Sequence, residues 1–252
     1  MRAGWRRALR GSIALIAALS LSLLPVHAQE LSFDPVSRSS DIAPDLQVHS
    51  LPASLDRWQA EDQGDYFEQI EPIAAGYLIW SRFPIRVFVE PSDRPNWADA
   101  VQQAIAEWTV YLPLEQVDRA EVADIAIWSR TPPLQWNGGE LGRVRSAETR
   151  FEVGIDRSTN PAILTHRLQI RLRPDQSVAY LQAAARHELG HALGIWGHSL
   201  EPTDALYFSQ VRNPASISAR DVNTLKRIYQ QPTRLGWAVR RYRSGMPRSN
   251  SP

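Results

Sequence analysis

Three histidines and a glutamate fall within twelve consecutive positions, from His187 to His198. Residues four apart share one face of a helix, so His187 and His191 can bind one metal ion together. Glu188 lies beside them, where it can reach a water molecule on that metal. Gly194 can end the helix, after which the chain can turn back and present His198 as a third ligand. Three imidazole ligands and an open position are the composition of a catalytic zinc site.

The competing interpretation is an amphipathic helix whose histidines are solvated or hydrogen-bonded, because a bare His-Glu-x-x-His pattern also arises by chance. Gly194 and His198 follow the pattern at positions that suit a helix end and a third ligand, which makes a chance occurrence less probable. The chain has six histidines, and three of them lie in this run. His27 lies in the N-terminal leader and His49 in a polar stretch. His166 is predicted to be an exposed residue of a strand.

The first residues indicate an export signal. Four arginines precede an apolar stretch from Ile13 to Leu24, and Val26-His27-Ala28 fits a cleavage site before Gln29. This pattern predicts a signal peptide over residues 1–28 and a protein exported to the periplasm or the medium. An uncleaved membrane anchor is the alternative, although the apolar stretch is short for a membrane span.

Composition narrows the choice of partners. The chain carries 28 basic and 27 acidic residues, and loss of the leader would remove four basic ones. The resulting balance gives no reason to expect nucleic acid or an anionic membrane as a partner. Cysteine is absent, so neither disulfides nor thiolate ligands contribute. We expect a monomer, free of the membrane after signal cleavage and stabilised by its core and its bound metal.

Hydrophobic periodicity predicts a single domain over residues 76–232. An N-terminal extension at 29–75 is predicted to be poorly structured and to pack on the domain surface. A basic segment at 233–252 is predicted to be a flexible, solvated tail.

Helices and strands alternate within this domain. The first half is predicted to contain a strand at Ile85–Glu90, a helix capped by Asn96 with Asp99 and ended by Pro113, a strand at Ala123–Trp128 and a loop at Thr131–Gly142. Strands at Thr149–Val153 and Leu164–Leu172 follow, then a motif helix that starts at Pro174-Asp175, and a last helix that is capped by Ser218 and runs through Tyr229. The motif helix is predicted to bury a stripe formed by Val178, Leu181, Ala185, Leu189 and Ala192. Its histidines lie on another face, which would put the metal in a cleft.

The chain resembles the metzincin zinc metalloproteases and, among them, the bacterial matrixin-like peptidases. The resemblance covers Tyr77 to Tyr229 and is strongest from His187 onward, where Ala205-Leu206-Tyr207 and Ile217–Val222 follow the family's order of motifs. It implies an α+β fold, the α/β/α-like metzincin catalytic domain, with a small, mixed, twisted sheet, a long motif helix and a C-terminal helix.

The resemblance also implies a secreted zinc endopeptidase that acts on protein or peptide substrates. By position, the family's zinc ligands are His187, His191 and His198, and its general base is Glu188, which acts on a water molecule activated by zinc. The family's methionine turn, which supports the metal site, falls on the Ala205–Tyr207 segment. A peptide could add as an extended strand along the edge at Thr149–Val153, and Phe208–Ser216 would shape the specificity pocket.

The chain departs from the family's pattern at the third ligand, because His198 comes one residue later than the family places it. An unusual backbone angle at Gly197 would absorb this shift, and Glu201 and Asp204 are the alternative ligands.

Two more family features are missing. Leu206 stands where the family has methionine, and no cysteine is present to keep the enzyme latent. Any latency would be steric and would come from the 29–75 extension, although packing on the domain surface is the simpler role for that extension.

The alternative function is a non-catalytic exported module that binds metal or a protein partner and retains the protease fold. Zinc-dependent hydrolysis of something other than a peptide would use the same residues.

Overall fold

A computed structural model of the chain describes residues 33–35, 43–59, 62–134, 136–137, 140–141, 145–209 and 211–240. The predicted signal peptide at 1–28, its cleavage site at Ala28 and the last residues of the predicted tail, 241–252, lie outside this range. None of the helices in the described range has both the length and the apolar character needed to cross a bilayer.

The described residues contain four α-helices and eight strands, so the predicted α+β class is confirmed. The strands are β1 (Phe33–Pro35), β2 (Ile85–Val89), β3 (Leu114–Val117), β4 (Ile125–Trp128), β5 (Trp136–Asn137), β6 (Glu140–Leu141), β7 (Ala147–Asp156) and β8 (Ile163–Leu172). The helices are α1 (Ala53–Arg57), α2 (Pro95–Thr109), α3 (Val178–Ala192) and α4 (Ala219–Tyr229).

Six strands form one mixed sheet in the order β1-β7-β8-β4-β2-β3. Strands β3, β2, β4 and β8 run parallel to one another, whereas β7 is antiparallel to its two neighbours, β8 and β1. The short β1 pairs only with Gly154–Asp156 of β7. In the described residues, the first part of β7 therefore has a strand partner on one side only.

Helix α2 packs on α3, and α3 packs in turn on β7 and β8. Two tryptophans of α2, Trp97 and Trp108, are fully buried, and Trp108 Nε1 donates a hydrogen bond to the Arg186 carbonyl at 2.9 Å. The apolar stripe of α3 is buried as predicted at Leu181, Ala185, Leu189 and Ala192. This packing fixes the motif helix between the sheet and α2.

The predicted helix starts were partly wrong. Helix α2 starts at Pro95, a residue suited to the first turn because it lacks an N–H, and the predicted Asn96 cap is not formed. Helix α3 starts at Val178 after Ser177, not at Pro174-Asp175, and Val178 is 45 % exposed, outside the buried stripe.

For α4 the predicted cap is confirmed. Ser218 Oγ accepts from the Asp221 N–H at 3.0 Å, and the Asp221 carboxylate accepts from the Ser218 N–H at 2.8 Å. This reciprocal pair is a capping box, and both partners are close in sequence.

Four strands were missed outright. The edge strand β3 carries exposed residues at its centre, Glu115 and Gln116, and shows no buried alternation. The hairpin β5–β6 falls inside the predicted 131–142 loop, and β1 precedes the predicted domain. Strands this short carry too few residues for a periodic pattern to be recognised.

The description of the 29–75 segment as a poorly structured surface extension is wrong for its described part from residue 43 onward. Leu55, Tyr66 and Ile70 belong to the main hydrophobic core, and Trp58 Nε1 donates to Asn223 Oδ1 of α4 at 2.9 Å. Isolated apolar residues in a polar sequence carry no local signal, because their burial depends on distant partners.

The prediction of a solvated tail from residue 233 is likewise wrong over 233–240. Thr233 and Leu235 are buried, and Thr233 exchanges two backbone hydrogen bonds with Gln47, at 3.0 and 2.9 Å. The described N-terminal and C-terminal segments therefore pair with each other.

His166 is buried, not exposed as predicted, with 2 % of its surface accessible. Its ring stacks on Trp80 at a centroid distance of 3.9 Å, and neither ring nitrogen has a hydrogen-bond partner. Burial lowers the pKa of His166 to about 3, because the charged ring would lose its hydration.

Replacement of His166 by phenylalanine tests this burial. An unfolded chain has a histidine pKa of about 6.5, so between about pH 6.5 and pH 3 only the unfolded state binds this proton. The free energy of unfolding therefore falls as the pH is lowered through that window. His166→Phe keeps a ring beside Trp80 but removes the titratable group. Between about pH 7 and pH 4, the free energy of unfolding should therefore fall by up to about 3 kcal/mol less in the variant than in wild type. Urea unfolding measures both losses, and equal losses would contradict the assignment.

Candidate metal centre

Helix α3 brings the first three residues of the motif together. His187 and His191 are one turn apart, and their rings meet edge to face with centroids 4.7 Å apart. Their Nε2 atoms are 3.1 Å apart. Two ligands of one tetrahedral zinc ion are about 3.3 Å apart when each Zn–N bond is about 2.0–2.1 Å long. The pair is therefore already near the spacing that a shared metal requires.

His198 completes the group, as predicted. Its ring centroid lies 5.3 Å from that of His187 and 4.8 Å from that of His191. One nitrogen of each of the three imidazoles lies within 4.8 Å of the others, so the set could hold a metal ion. The turn from Gly194 to His198 therefore brings the third imidazole to the first two.

Backbone carbonyls orient the two helical imidazoles. His187 Nδ1 lies 2.9 Å from the Ala205 carbonyl oxygen, and His191 Nδ1 lies 2.7 Å from the Ile195 carbonyl oxygen. A carbonyl can only accept, so each Nδ1 carries the proton and each Nε2 keeps its lone pair for a metal. This tautomer is the one that a pair of Nε2 ligands needs.

The environment also favours neutral imidazoles. Burial, followed by the neighbouring His187 and His198, lowers the pKa of His191 well below its ordinary value. Burial and His187 lower the pKa of His198. Neutral imidazole is the form that binds metals, so the donor set suits a metal ion chemically as well as by distance.

The end of α3 directs the chain toward the third imidazole. Gly194 has a φ of 129°, and the Ile195 and Gly194 N–H groups donate to the Gly190 and His191 carbonyls at 3.0 and 3.1 Å. This pair of bonds is a Schellman motif. A side chain at Gly194 would also place Cβ 2.8 Å from the Leu78 carbonyl oxygen.

The turn before His198 is held by residues 69–71, which belong to the N-terminal segment (residues 43–75). Ile70 pairs with Gly197, and the Glu71 N–H donates to the Trp196 carbonyl at 3.2 Å. The expectation of an unusual backbone angle at Gly197 is wrong, because its φ is not positive. Glycine is required there for space, since a Cβ would lie 2.1 Å from the Gln69 carbonyl oxygen.

The two alternative ligands do not join the cluster. Asp204 is buried, and its carboxylate accepts from Ser199 Oγ at 2.5 Å, Ser218 Oγ at 2.7 Å and Arg220 Nε at 3.0 Å. Glu201 is exposed. Asp204 instead ties the chain after His198 to the start of α4.

The segment Ala205–Tyr207 lies beneath α3. Leu206 is fully buried, and its side chain packs so closely on Gly190 that a Cβ there would lie 2.5 Å from Leu206 Cδ2. The Asp221 carboxylate accepts from the Ala205 N–H at 2.8 Å, and it also accepts from Tyr66 Oη at 2.5 Å. The carbonyl that orients His187 is therefore fixed by α4 and by the N-terminal segment.

Glu188 is a buried carboxylate beside the imidazoles. Thr149 Oγ1 of β7 donates to Glu188 Oε2 at 2.6 Å. Burial raises the pKa of Glu188, and the nearby Glu148 raises it further, whereas His187 and Thr149 lower it. Sequence reasoning placed Thr149 on a strand but gave no reason to bring it to Glu188.

Two hollows meet at this group of side chains. An open cleft of about 650 Å³ is lined by Gln69, Glu71, Arg145, Ala147, Glu148, Thr149, His187, Glu188, His191, Trp196, Gly197, His198 and Leu200. A smaller cavity of about 160 Å³ adjoins His187 and Glu188, and residues of the 208–216 segment, including Phe208, Val211 and Pro214, contribute to its wall. Sequence reasoning missed Gln69, Glu71 and Glu148, whose place in the cleft depends on contacts distant in sequence.

Comparison of the chain with protein-family models and with curated proteins found no match.

Substitution of the third imidazole tests whether it binds metal. His198→Ala should bind zinc much more weakly than wild type, because a three-nitrogen site would be reduced to two donors. Glu201→Ala is the matched control, since it removes the nearby exposed carboxylate and should leave zinc binding unchanged. Atomic absorption after dialysis against dilute zinc measures both. Full zinc content in His198→Ala would exclude this residue as a ligand.

A second test addresses the support of the turn. Gly197→Ala should push the chain away from Gln69 and weaken zinc binding by about 10- to 100-fold, the usual effect of losing a group that orients a ligand. Gly64→Ala is the control, because Gly64 has a φ of 72° but its Cβ would meet only Arg220 at 3.6 Å. That change should cost about 1 kcal/mol of stability and leave zinc affinity intact. Equal zinc affinity in the two variants would contradict this role for Gly197.

Proposed function

We propose that the protein is an exported zinc-dependent endopeptidase of the matrixin-like metzincin class. The observation that carries the proposal is the convergence of three imidazoles and one buried carboxylate, Glu188, on a single open cleft. Three nitrogen donors leave a coordination position for water or substrate, which distinguishes a catalytic zinc site from a closed structural one. Export is inferred from the signal-peptide pattern of residues 1–28.

In this proposal His187, His191 and His198 hold Zn²⁺. Zinc bound there would act as a Lewis acid, which lowers the pKa of a water molecule to about 7 and polarises a peptide carbonyl. Glu188 takes the proton from the attacking water and later delivers it to the leaving amine. Thr149 keeps one oxygen of Glu188 in place, and the other oxygen is available for this transfer.

The cleft suits an extended peptide. Its wall includes Ala147 and Thr149 of β7, a part of the strand that pairs on one side only within the described residues. A substrate chain could add there as a further strand through main-chain hydrogen bonds. The smaller cavity beside His187 would then receive one substrate side chain, with Phe208 and Val211 in its wall.

Removal of the carboxylate tests the proposed chemistry. Glu188→Ala should retain zinc and lose at least about 10²-fold of its activity on casein, the contribution expected of a general base. Glu71→Ala is the control, because Glu71 is an exposed carboxylate in the wall of the same cleft. Glu71→Ala should retain most of the wild-type activity.

The same preparations distinguish the alternatives. A non-catalytic metal-binding module would take up zinc but show no casein cleavage that a chelator abolishes. Casein cleavage by Glu188→Ala at the wild-type rate would contradict the role of Glu188. Zinc hydrolysis of another substrate would leave casein intact while an ester or a non-peptide amide is hydrolysed.

A further inference from the structure

Thr149 makes a contact that the ligand set alone does not explain. Its Oγ1 lies 2.6 Å from Glu188 Oε2 and 3.1 Å from the Glu188 main-chain carbonyl oxygen. We propose that Thr149 is a positioning residue, which holds the Glu188 carboxylate toward the open position of the metal. The inference rests on the proposed endopeptidase activity, because it assigns how the general base is held.

The geometry restricts what the hydroxyl can do. A threonine hydroxyl has one proton, so at any moment it can donate either to Glu188 Oε2 or to the Glu188 main-chain carbonyl oxygen, but not to both. The shorter distance is to the carboxylate, and charge assistance strengthens that bond. When the Glu188 carboxyl group itself carries a proton, the Thr149 hydroxyl can donate instead to the Glu188 main-chain carbonyl oxygen at 3.1 Å. The hydroxyl can thus satisfy Glu188 in both states of a proton-transfer cycle.

The strand makes this contact rigid. Thr149 lies in β7, where it is paired with Ile170 of β8, and α3 packs on both strands. A β-branched side chain has few rotamers, so the hydroxyl is held in place by its own backbone. Glu188 has several rotatable bonds, and without the contact its carboxylate would have more freedom within the cleft.

The same strand edge is the proposed place for the substrate. Ala147 and Thr149 both line the cleft, so a peptide added along β7 would run directly beside the residue that holds the general base. If one strand positions both the catalytic carboxylate and the substrate backbone, the distance and orientation between them stay constant, which favours reaction.

Two substitutions separate the hydroxyl from the shape of the side chain. Thr149→Val removes the hydroxyl and keeps the β-branch, whereas Thr149→Ser keeps the hydroxyl. With zinc content unchanged, Thr149→Val should lower kcat on fluorescein-labelled casein by about 10- to 100-fold, as expected for a bond to a charged group. Its apparent KM should stay near the wild-type value. Thr149→Ser should stay within about 3-fold of wild type in kcat, since the donor is retained.

Acetohydroxamate gives a second readout that needs no turnover. It chelates a metal ion through two oxygens and presents a hydroxyl proton to a neighbouring base, so its affinity reports the position of Glu188. Calorimetry on zinc-loaded protein should show weaker binding to Thr149→Val than to wild type and to Thr149→Ser. Thr149→Ala, which also lacks the hydroxyl, replaces the valine variant in both assays if that variant does not fold.

The outcomes are distinct. If wild type binds acetohydroxamate but never cleaves casein, the endopeptidase proposal fails and the affinities still decide the role of Thr149. Wild-type behaviour of the valine variant in both assays would overturn the inference. Equal losses in the serine and valine variants would do so too, because packing would then be the cause. Lost turnover with unchanged hydroxamate affinity, or a wild type that binds no hydroxamate, would also contradict it.

Discussion

The donation of the His187 and His191 Nδ1 protons to backbone carbonyls is the interaction on which the rest of the candidate metal centre depends. An imidazole can bind a metal through Nε2 only if the proton is on Nδ1 and the ring is turned the right way. The Ala205 and Ile195 carbonyls satisfy both conditions for His187 and His191. Neither carbonyl is part of α3. The helix therefore supplies the two imidazoles, whereas the turns that follow it fix how the rings are oriented.

Those turns are held from both ends of the chain. The Ala205 N–H donates to the Asp221 carboxylate of α4, which also accepts a hydrogen bond from Tyr66 Oη of the N-terminal segment. The Ile195 turn continues into Gly197, which pairs with Ile70. Thr233 and Gln47 then join the two ends of the described chain. The N-terminal segment is thus a structural part of the site.

Features with local causes were predictable, and features with distant causes were not. The i, i+4 spacing of His187 and His191 and the Ser218 cap of α4 depend on residues within one turn of each other, so they could be predicted from the sequence. The approach of Thr149 to Glu188 and the burial of His166 depend on how β7, β8 and α3 pack. No periodicity in β7 indicates which polar side chain will meet α3. An apolar residue such as Leu55 in a polar stretch likewise gives no sign that a core will form around it.

The position of His198 shows why the number of residues between ligands is a weaker constraint than the anchors on either side of them. Before it, the Schellman motif at Gly194 fixes the direction of the chain, and Ile70 and Gln69 fix Gly197. After it, the Ser199 N–H donates to the Leu206 carbonyl at 2.8 Å. A turn that is anchored at both ends can bring a residue to the same place by backbone paths of different length. Because Gly197 has no side chain, the chain can follow such a path against Gln69 and still bring His198 to the other two imidazoles.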